Sequence, residues 1–146
     1  MKIEYTEKLT KEYNEKCGAC FVLDIKEKGI DPYYEKFVFI LKNDNGEIVG
    51  GINFWVVYEA VYIDDLWIEK PYRGKGYGKK LLEKVWNKFK DKGYDHINLT
   101  TREFQAPEFY KKCGYELDFV KKHKNSKLNR YFFIKRFNDI KEERWK

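Results

Sequence analysis

The stretch that decides the fold is Val61-Tyr-Ile-Asp-Asp-Leu-Trp-Ile68, a β-rich run, followed closely by Arg73-Gly-Lys-Gly-Tyr-Gly78. Three glycines at alternate positions remove side chains from the turn, so its backbone N–H groups can converge on an anion. An amphipathic helix is predicted from Lys79 to Lys92, and its N-terminus would add unsatisfied donors and the positive end of its dipole. The passage therefore predicts a strand, a phosphate-binding loop and a helix.

The glycine spacing separates this loop from two common nucleotide-binding motifs. A nucleoside-triphosphate loop needs Gly-Lys followed by a hydroxyl residue, whereas Gly78 is followed by two lysines. A dinucleotide fingerprint needs its third glycine one residue later than it stands here. Taken by itself, the cluster also fits a tight turn between a strand and a helix.

Two stretches together resemble the GNAT superfamily of N-acetyltransferases. The spacing Arg73-x-x-Gly76-x-Gly78, preceded by the strand that begins near Tyr62, resembles the family's fourth strand and its acyl-CoA loop. The stretch Phe104-Gln-Ala-Pro-Glu-Phe-Tyr-Lys-Lys-Cys-Gly-Tyr115 resembles its last helix. The strong motifs cover about residues 61–115, and the resemblance implies acetyl-CoA as co-substrate.

The resemblance also implies which residues hold acetyl-CoA. Leu66 and Ile68 would offer backbone groups to the pantetheine arm, at the point where two neighbouring parallel strands splay apart. The pyrophosphate would lie on the glycine loop and its basic flanks, namely Arg73, Gly74, Lys75, Gly76, Tyr77, Gly78 and Lys79. Many family members have Asn where Gln105 stands, so Gln105 is predicted to contact the pantetheine arm through a longer amide.

Tyr110 is the predicted general acid, because the family's tyrosine at this position faces the cofactor sulfur. The residues alone favour a simpler interpretation, since Ala106, Phe109, Tyr110 and Cys113 form one apolar stripe at helical spacing. The resemblance decides for the catalytic role.

Asp64 and Asp65 interrupt an otherwise apolar strand, which core packing does not explain. Strand alternation would send them to opposite faces. Asp64 matches the position of a water-linked acidic base in diamine-type family members, although the usual residue there is Glu. Both are candidates for relaying the amine's proton or holding the ammonium, and the alternative for each is a salt-bridging or capping carboxylate.

The acceptor is predicted from charge. We expect Asp64, Asp65, Glu59 and Asp31 to gather near the splayed strands and to favour a cationic acceptor. The predicted function is direct acetyl transfer to a primary amine of a small molecule, polyamine or peptide. The alternative function is a non-catalytic acyl-CoA-binding or sensing module on the same fold.

Length and composition bound these predictions. The chain has 146 residues, which predicts one domain over residues 1–146. Its net charge of +6 invites nucleic acid as a partner, but the basic residues are dispersed among 24 acidic ones. The N-terminal residues lack an apolar signal core, and residues 54–58 are too few to span a bilayer. We expect a cytoplasmic protein without nucleic-acid or membrane partners, and a homodimer is left open.

Cysteine and histidine supply no strong motif. Cys17 and Cys20 have the spacing of a redox pair, but ordinary thiols on the first helix are the simpler interpretation. A zinc site would need four ligands, and the only candidates beyond this pair, Cys113, His96 and His123, are scattered along the chain. We expect both histidines at the surface and predict no metal.

The remaining pattern predicts alternating strands and helices. Predicted strands cover about residues 1–5, 36–41, 47–57, 61–68, 96–100, 115–121 and 129–137. Predicted helices cover about residues 10–28, with a break near Gly18, and 79–92, capped by Gly93, and 107–113. The predicted fold is α/β, a GNAT-like mixed and mostly antiparallel sheet with a central splayed parallel strand pair flanked by helices. The charged tail, residues 138–146, is expected to fray.

Overall fold

The computed structural model describes residues 1–138, so most of the predicted frayed tail lies outside the described residues. The chain divides into two compact units, Met1–Tyr33 and a second unit that begins at Tyr34.

The first unit contains one helix, α1 (Lys11–Glu27). Thr10 caps it by accepting a hydrogen bond from the backbone N–H of Tyr13. The helix runs through Gly18 without the predicted break, because a single glycine costs only about 1 kcal/mol inside a helix. The strand predicted at residues 1–5 is wrong: within the described chain this segment pairs with no other strand.

The second unit is built on a six-stranded sheet with the spatial order β1-β2-β3-β4-β6-β5. Its strands are β1 (Tyr34–Lys42), β2 (Ile48–Val57), β3 (Ala60–Ile68), β4 (His96–Arg102), β5 (Glu116–Lys121) and β6 (Arg130–Arg136). Only β3 and β4 are parallel among the paired strands of the described chain. The predicted mixed, mostly antiparallel sheet is confirmed.

The described part of the second unit also contains two α-helices, α2 (Tyr77–Phe89) after β3 and α3 (Pro107–Lys112) after β4. The apolar stripe of α2 is buried, with Leu81, Leu82, Val85 and Phe89 packed on the sheet. The predicted cap at Gly93 is wrong. The helix ends at Phe89 with Lys90 as its cap, and Gly93 takes its left-handed conformation in the turn that follows.

The core lies between α2 and one face of the sheet. Its centre is fully buried and consists of branched and aromatic side chains, among them Ile52, Phe54, Val61, Val85, Ile97 and Phe133. This packing fixes β3 and β4 relative to the N-terminus of α2, because each of the three elements contributes to the same core. The strand ends and the helix start are thereby held together on one side of the sheet.

Candidate active site

The parallel pair β3–β4 opens into a cleft. The two strands are paired only from Ala60 to Tyr62 on β3 and from His96 to Asn98 on β4. Beyond these positions the strands separate, and a cavity of about 500 Å³ opens. The predicted splay is therefore present. The cavity is lined by residues 64–68, 72–74, 76–79, 100–101, 105–106 and 109–110.

The open edge of β3 directs backbone groups into this cleft. Glu69 donates its N–H to Val49 on β2, and in an antiparallel pair such hydrogen-bonded positions alternate with non-bonded ones. Leu66 and Ile68 fall between the bonded positions, so their N–H and C=O groups turn away from β2 and toward the separated β4. On β4, Glu103 donates its N–H to the Asn129 carbonyl, so the alternating pattern with β6 turns the backbone groups of Thr100 away from β6 and toward β3.

A β-bulge places the two aspartates. Asn53 lies opposite Asp65 and Phe54 opposite Ile63, so Asp64 is the extra residue of β3. The core-packed positions are Val61 and Ile63 before the bulge but Leu66 and Ile68 after it. Alternation does not hold across the bulge, so the expectation that the two aspartates take opposite faces loses its basis. Both line the cleft, and Asp65 accepts a 3.1 Å hydrogen bond from the Asn53 amide.

The glycine loop leaves the N-terminus of α2 open. Gly74 and Gly76 adopt left-handed backbone conformations with φ of 74° and 84°, which cost other residues about 1–2 kcal/mol. Gly76 is the N-cap and has no side chain to satisfy the first N–H groups of the helix. A Cβ at Gly78 would lie 3.1 Å from Phe109 Cζ, so glycine there lets α3 approach α2. The loop can therefore present several N–H donors to one anion.

The basic residues of the loop have different roles. The Arg73 Nε donates to the Ile68 carbonyl at 2.7 Å, which fixes the loop to the end of β3. Lys79 lines the cleft on the first turn of α2. Lys75 does not line it; its ammonium lies 5.8 Å from the centre of the Tyr72 ring. Among the residues predicted to bind acetyl-CoA, Lys75 is the one that is absent from the lining of the cleft.

Tyr110 joins the core and the cleft. Its ring contacts Tyr115 and Phe133 in the core, with centroids 6.2 and 5.9 Å away, and it also lines the cavity. Burial, with a smaller contribution from the nearby Cys113 thiol, raises the pKa of Tyr110 to about 12. The packing interpretation and the cleft-facing interpretation are therefore both true of this residue, and its hydroxyl stays protonated at neutral pH.

Gln105 lines the cleft but uses its carbonyl oxygen elsewhere. Its Oε1 accepts from the Thr101 hydroxyl at 3.1 Å and from the Arg102 backbone N–H at 2.8 Å. Because both bonds involve Oε1, the Nε2 group is the part of the side chain left to contact a ligand.

The lining also includes residues that the sequence pattern did not single out, chiefly Trp67, Tyr72, Thr100, Thr101 and Phe109. Trp67 could have been found from alternation beyond the bulge, but the bulge itself has no clear sequence signal. Thr100 and Thr101 lie at the end of β4, where parallel strands that separate expose backbone and side chains alike. Their position, more than their residue type, places them in the site.

Glu59 does not join the acidic pair. It lies in the β2–β3 turn, where β3 and β4 are still paired, and its carbonyl accepts from Asp95. Asp31 belongs to the first unit, where it accepts a hydrogen bond from the Tyr33 backbone. Of the four acidic residues, the cleft lining includes Asp64 and Asp65.

The histidines and cysteines lie outside the cleft lining. His96 is half-buried at the paired end of β4, bonded to Asp95 and Asn98, and so is less exposed than expected. Cys17 and Cys20 are free thiols on α1. Within residues 1–138, no cluster of His, Cys, Asp and Glu is arranged to hold a metal ion. No helix in that range is both long and apolar enough to cross a membrane.

Comparison with known proteins identifies the family. A family model described as "Acetyltransferase (GNAT) family" matches residues 3–115. The blasticidin-S acetyltransferase of Streptomyces morookaense is 32% identical over 75 residues, which cover 51% of this chain and 55% of that protein. The chain thus matches little more than half the length of this curated relative.

Solved structures agree over a larger part of the chain. The crystal structure of an acetyltransferase from Bacillus cereus ATCC 14579 is 30% identical, with a TM-score of 0.77 over 91% of this chain and 97% of that one. A GNAT family acetyltransferase from Elizabethkingia anophelis with acetyl-CoA bound shares the fold at 18% identity, with a TM-score of 0.58 over 68% and 74% of the two chains. Because the family model matches well over half of its residues, the chain belongs to the GNAT family of acetyltransferases.

Proposed function

We propose that this protein is an acetyl-CoA-dependent N-acetyltransferase that moves the acetyl group directly to a primary amine. The observation that carries the proposal is the shared cleft, which brings the open N-terminus of α2, the unpaired edge of β3, and Tyr110 to one cavity. The proposed location is the cytoplasm, and the proposed domain covers residues 1–146.

The cleft suits the parts of acetyl-CoA in order. The glycine loop and Lys79 offer N–H donors and positive charge to the pyrophosphate. Leu66 offers backbone N–H and C=O to the amide-bearing arm, and Ile68 offers its N–H, since its carbonyl already accepts from Arg73. This arrangement would bring the thioester to Tyr110, which lines the same cleft.

The reaction needs two proton movements. Acetyl-CoA supplies an acetyl group activated as a thioester, and Asp64 or Asp65 takes the proton of the incoming ammonium so that a neutral amine attacks. The C–N bond forms while the C–S bond breaks. The Tyr110 hydroxyl donates to the departing sulfur and receives the proton that the amine loses, so the proton ends on the CoA thiol.

The high pKa of Tyr110 favours this relay over simple acid catalysis. A thiol has a pKa of about 8.5, so complete transfer from a tyrosine with a pKa of about 12 is uphill by roughly 5 kcal/mol. Donating a hydrogen bond to the developing thiolate while accepting the amine's proton avoids this cost.

The acceptor is proposed to be a small primary amine, a polyamine or a peptide amine. Asp64 and Asp65 line the cleft beside the edge of β3, and their negative charge favours an ammonium group over a carboxylate. Two further relatives are named as a thialysine N-epsilon-acetyltransferase and a D-amino-acid N-acetyltransferase, which supports an amine as acceptor.

The proposal is tested by measuring thiol release from acetyl-CoA in the presence of a panel of primary amines, including a polyamine and a lysine peptide. We expect at least one cationic amine to give thiol and an equal amount of acetylated amine. Tight binding of acetyl-CoA without turnover for any amine would instead favour the non-catalytic acyl-CoA-binding module. Salt-sensitive oligonucleotide binding without acetyl-CoA binding would favour neither.

Asp64→Asn is expected to lower kcat/KM for the amine, because the substitution keeps the shape of the side chain and removes its charge. If Asp64 takes the proton, kcat should fall and the acidic limb of the pH profile should shift. If it only attracts the ammonium, KM should rise at nearly constant kcat. Asp118→Asn is the matched control, since Asp118 also lies exposed at a β-bulge, on β5 outside the cleft lining. Unchanged kinetics for Asp64→Asn would remove Asp64 from the site.

The pH dependence should reflect the raised pKa of Tyr110. An ordinary tyrosine is half-ionised at pH 10.0, whereas Tyr110 with a pKa of about 12 stays protonated there. We therefore expect no loss of turnover from neutral pH to pH 10 through ionisation of this hydroxyl. Ultraviolet titration of the protein, compared with Tyr110→Phe, should show one tyrosinate missing from the high-pH end. A lost tyrosine that titrates near pH 10 would contradict the account.

A further inference from the structure

The helix that carries Tyr110 depends on tertiary contacts for its stability and orientation. Helix α3 has six residues, which is too short for a helix to be stable without tertiary contacts. Its N-cap, Ala106, makes no side-chain capping bond. The direction of the Tyr110 hydroxyl therefore depends on the contacts that fix the two ends of α3.

The start of α3 is tied to the end of β4, a set of contacts that we call the start bracket. Gln105 donates its backbone N–H to the Arg102 carbonyl at 2.9 Å. Its Oε1 accepts from the Arg102 N–H at 2.8 Å and from the Thr101 hydroxyl at 3.1 Å. Thr101 is only 4% exposed, so its hydroxyl is a fixed point for this bracket.

The end of α3 is tied to β6, and these contacts form the end bracket. The Lys135 ammonium donates to the carbonyl of Cys113, the C-cap of α3, at 3.2 Å. The same ammonium lies 4.5 Å from the centre of the Trp86 ring and 5.6 Å from that of Tyr115. Two aromatic faces thus orient a cation onto one of the last carbonyls of the helix.

We propose that Gln105, through Thr101, and Lys135 are positioning residues that aim the Tyr110 hydroxyl into the cleft. The proposal rests on the role given to Tyr110 in the proposed function. It assigns Gln105 a task beyond contact with acetyl-CoA, because both bonds that Oε1 accepts come from β4. It also assigns a task to Lys135, which lies outside the lining of the cleft.

The two brackets act at opposite ends of the same short helix. Between them, Tyr110 packs against Phe109, Tyr115 and Phe133, which holds its ring, while the brackets hold the two ends of α3. A shift of about 1 Å in a catalytic group can cost on the order of 100-fold in rate. Loosening one bracket should therefore affect kcat more than the binding of acetyl-CoA.

The test is a pair of double-mutant cycles with Tyr110→Phe. Thr101→Val removes the hydroxyl without changing Gln105 itself, and Lys135→Met removes the ammonium but keeps a long side chain. Lys112→Met, an exposed lysine on α3, is the matched control. For each variant, kcat is measured both with Tyr110 present and in combination with Tyr110→Phe. The affinity for acetyl-CoA is measured by calorimetry. Thermal unfolding identifies any variant that is not folded, and Thr101→Ala or Lys135→Leu, which remove the same groups, then takes its place.

We expect Thr101→Val and Lys135→Met each to lower kcat about tenfold when Tyr110 is present and less than about twofold in the Tyr110→Phe background. Acetyl-CoA affinity should stay near that of the wild type, and Lys112→Met should behave like the wild type. An equal loss of kcat in both backgrounds, or no loss in either, overturns the proposal.

Failure of the proposed function gives a different result. If Tyr110→Phe alone turns over at the wild-type rate, Tyr110 has no part in the chemistry and the positioning proposal falls with it. If Tyr110→Phe is slow but the bracket variants are not, only the positioning proposal is overturned.

Discussion

Tyr110→Phe is expected to lower kcat by about 10²–10⁴-fold while acetyl-CoA binds as in the wild type. The substitution keeps the ring, which packs against Tyr115 and Phe133, and removes only the hydroxyl that would reach the departing sulfur. Steady-state kinetics with a productive amine and calorimetry with acetyl-CoA measure the two quantities separately.

The control for this variant is Tyr94→Phe, because Tyr94 packs edge-on against Phe89 and does not line the cleft. It should turn over at close to the wild-type rate. Full turnover by a folded Tyr110→Phe protein would return Tyr110 to a packing role and remove the relay from the mechanism.

Gly76→Asp is expected to weaken acetyl-CoA binding by tenfold or more, which is about 1.4 kcal/mol. The carboxylate would stand at the N-cap of α2, where it would accept the N–H bonds offered to the pyrophosphate and repel its charge. Isothermal titration calorimetry with acetyl-CoA measures the loss directly.

Two further variants separate charge from backbone strain. Gly76→Asn has nearly the same shape as Gly76→Asp without the charge, so it should lose less affinity. Gly46→Asp introduces aspartate at a similar backbone φ, 80° at Gly46 and 84° at Gly76. Gly46 lies in the β1–β2 turn, outside the cleft lining, so this variant should bind acetyl-CoA with unchanged affinity. A folded Gly76→Asp protein with wild-type affinity would place the pyrophosphate elsewhere.

Much of the second unit could be predicted because its signals are local. The turn Asn43-Asp-Asn-Gly46 joins β1 and β2 as expected, and α2 begins at Tyr77, two residues before the predicted helix start. The strand–helix–strand passage correctly predicted that β4 is parallel to β3. Hydrophobic periodicity is also a local signal, and it identified the buried stripe of α2.

The features that escaped prediction depend on neighbours in space. The bulge at Asp64 arises from the pairing of β3 with β2, so alternation along β3 alone could not tell which faces the two aspartates take. Residues 1–5 have strand-like composition, but a strand forms only beside a partner. Lys75 has the right charge and position in the loop, yet its ammonium lies by the Tyr72 ring.

The double role of Gln105 could not be read from the sequence for the same reason. A family Asn at this position suggested a contact with acetyl-CoA, and Gln105 does line the cleft. Its bonds to Thr101 and Arg102 depend on how β4 turns into α3. The side-chain type indicated a hydrogen-bonding residue, and only the fold shows which groups it reaches.

The most direct test of the central claim is a crystal structure of this protein with acetyl-CoA. We expect the pyrophosphate on the N–H groups of Gly74 to Lys79, the pantetheine arm along Leu66 and Ile68, and the sulfur within hydrogen-bonding distance of the Tyr110 hydroxyl. Acetyl-CoA bound outside the cleft between β3 and β4, or in it with the sulfur far from Tyr110, would contradict the account.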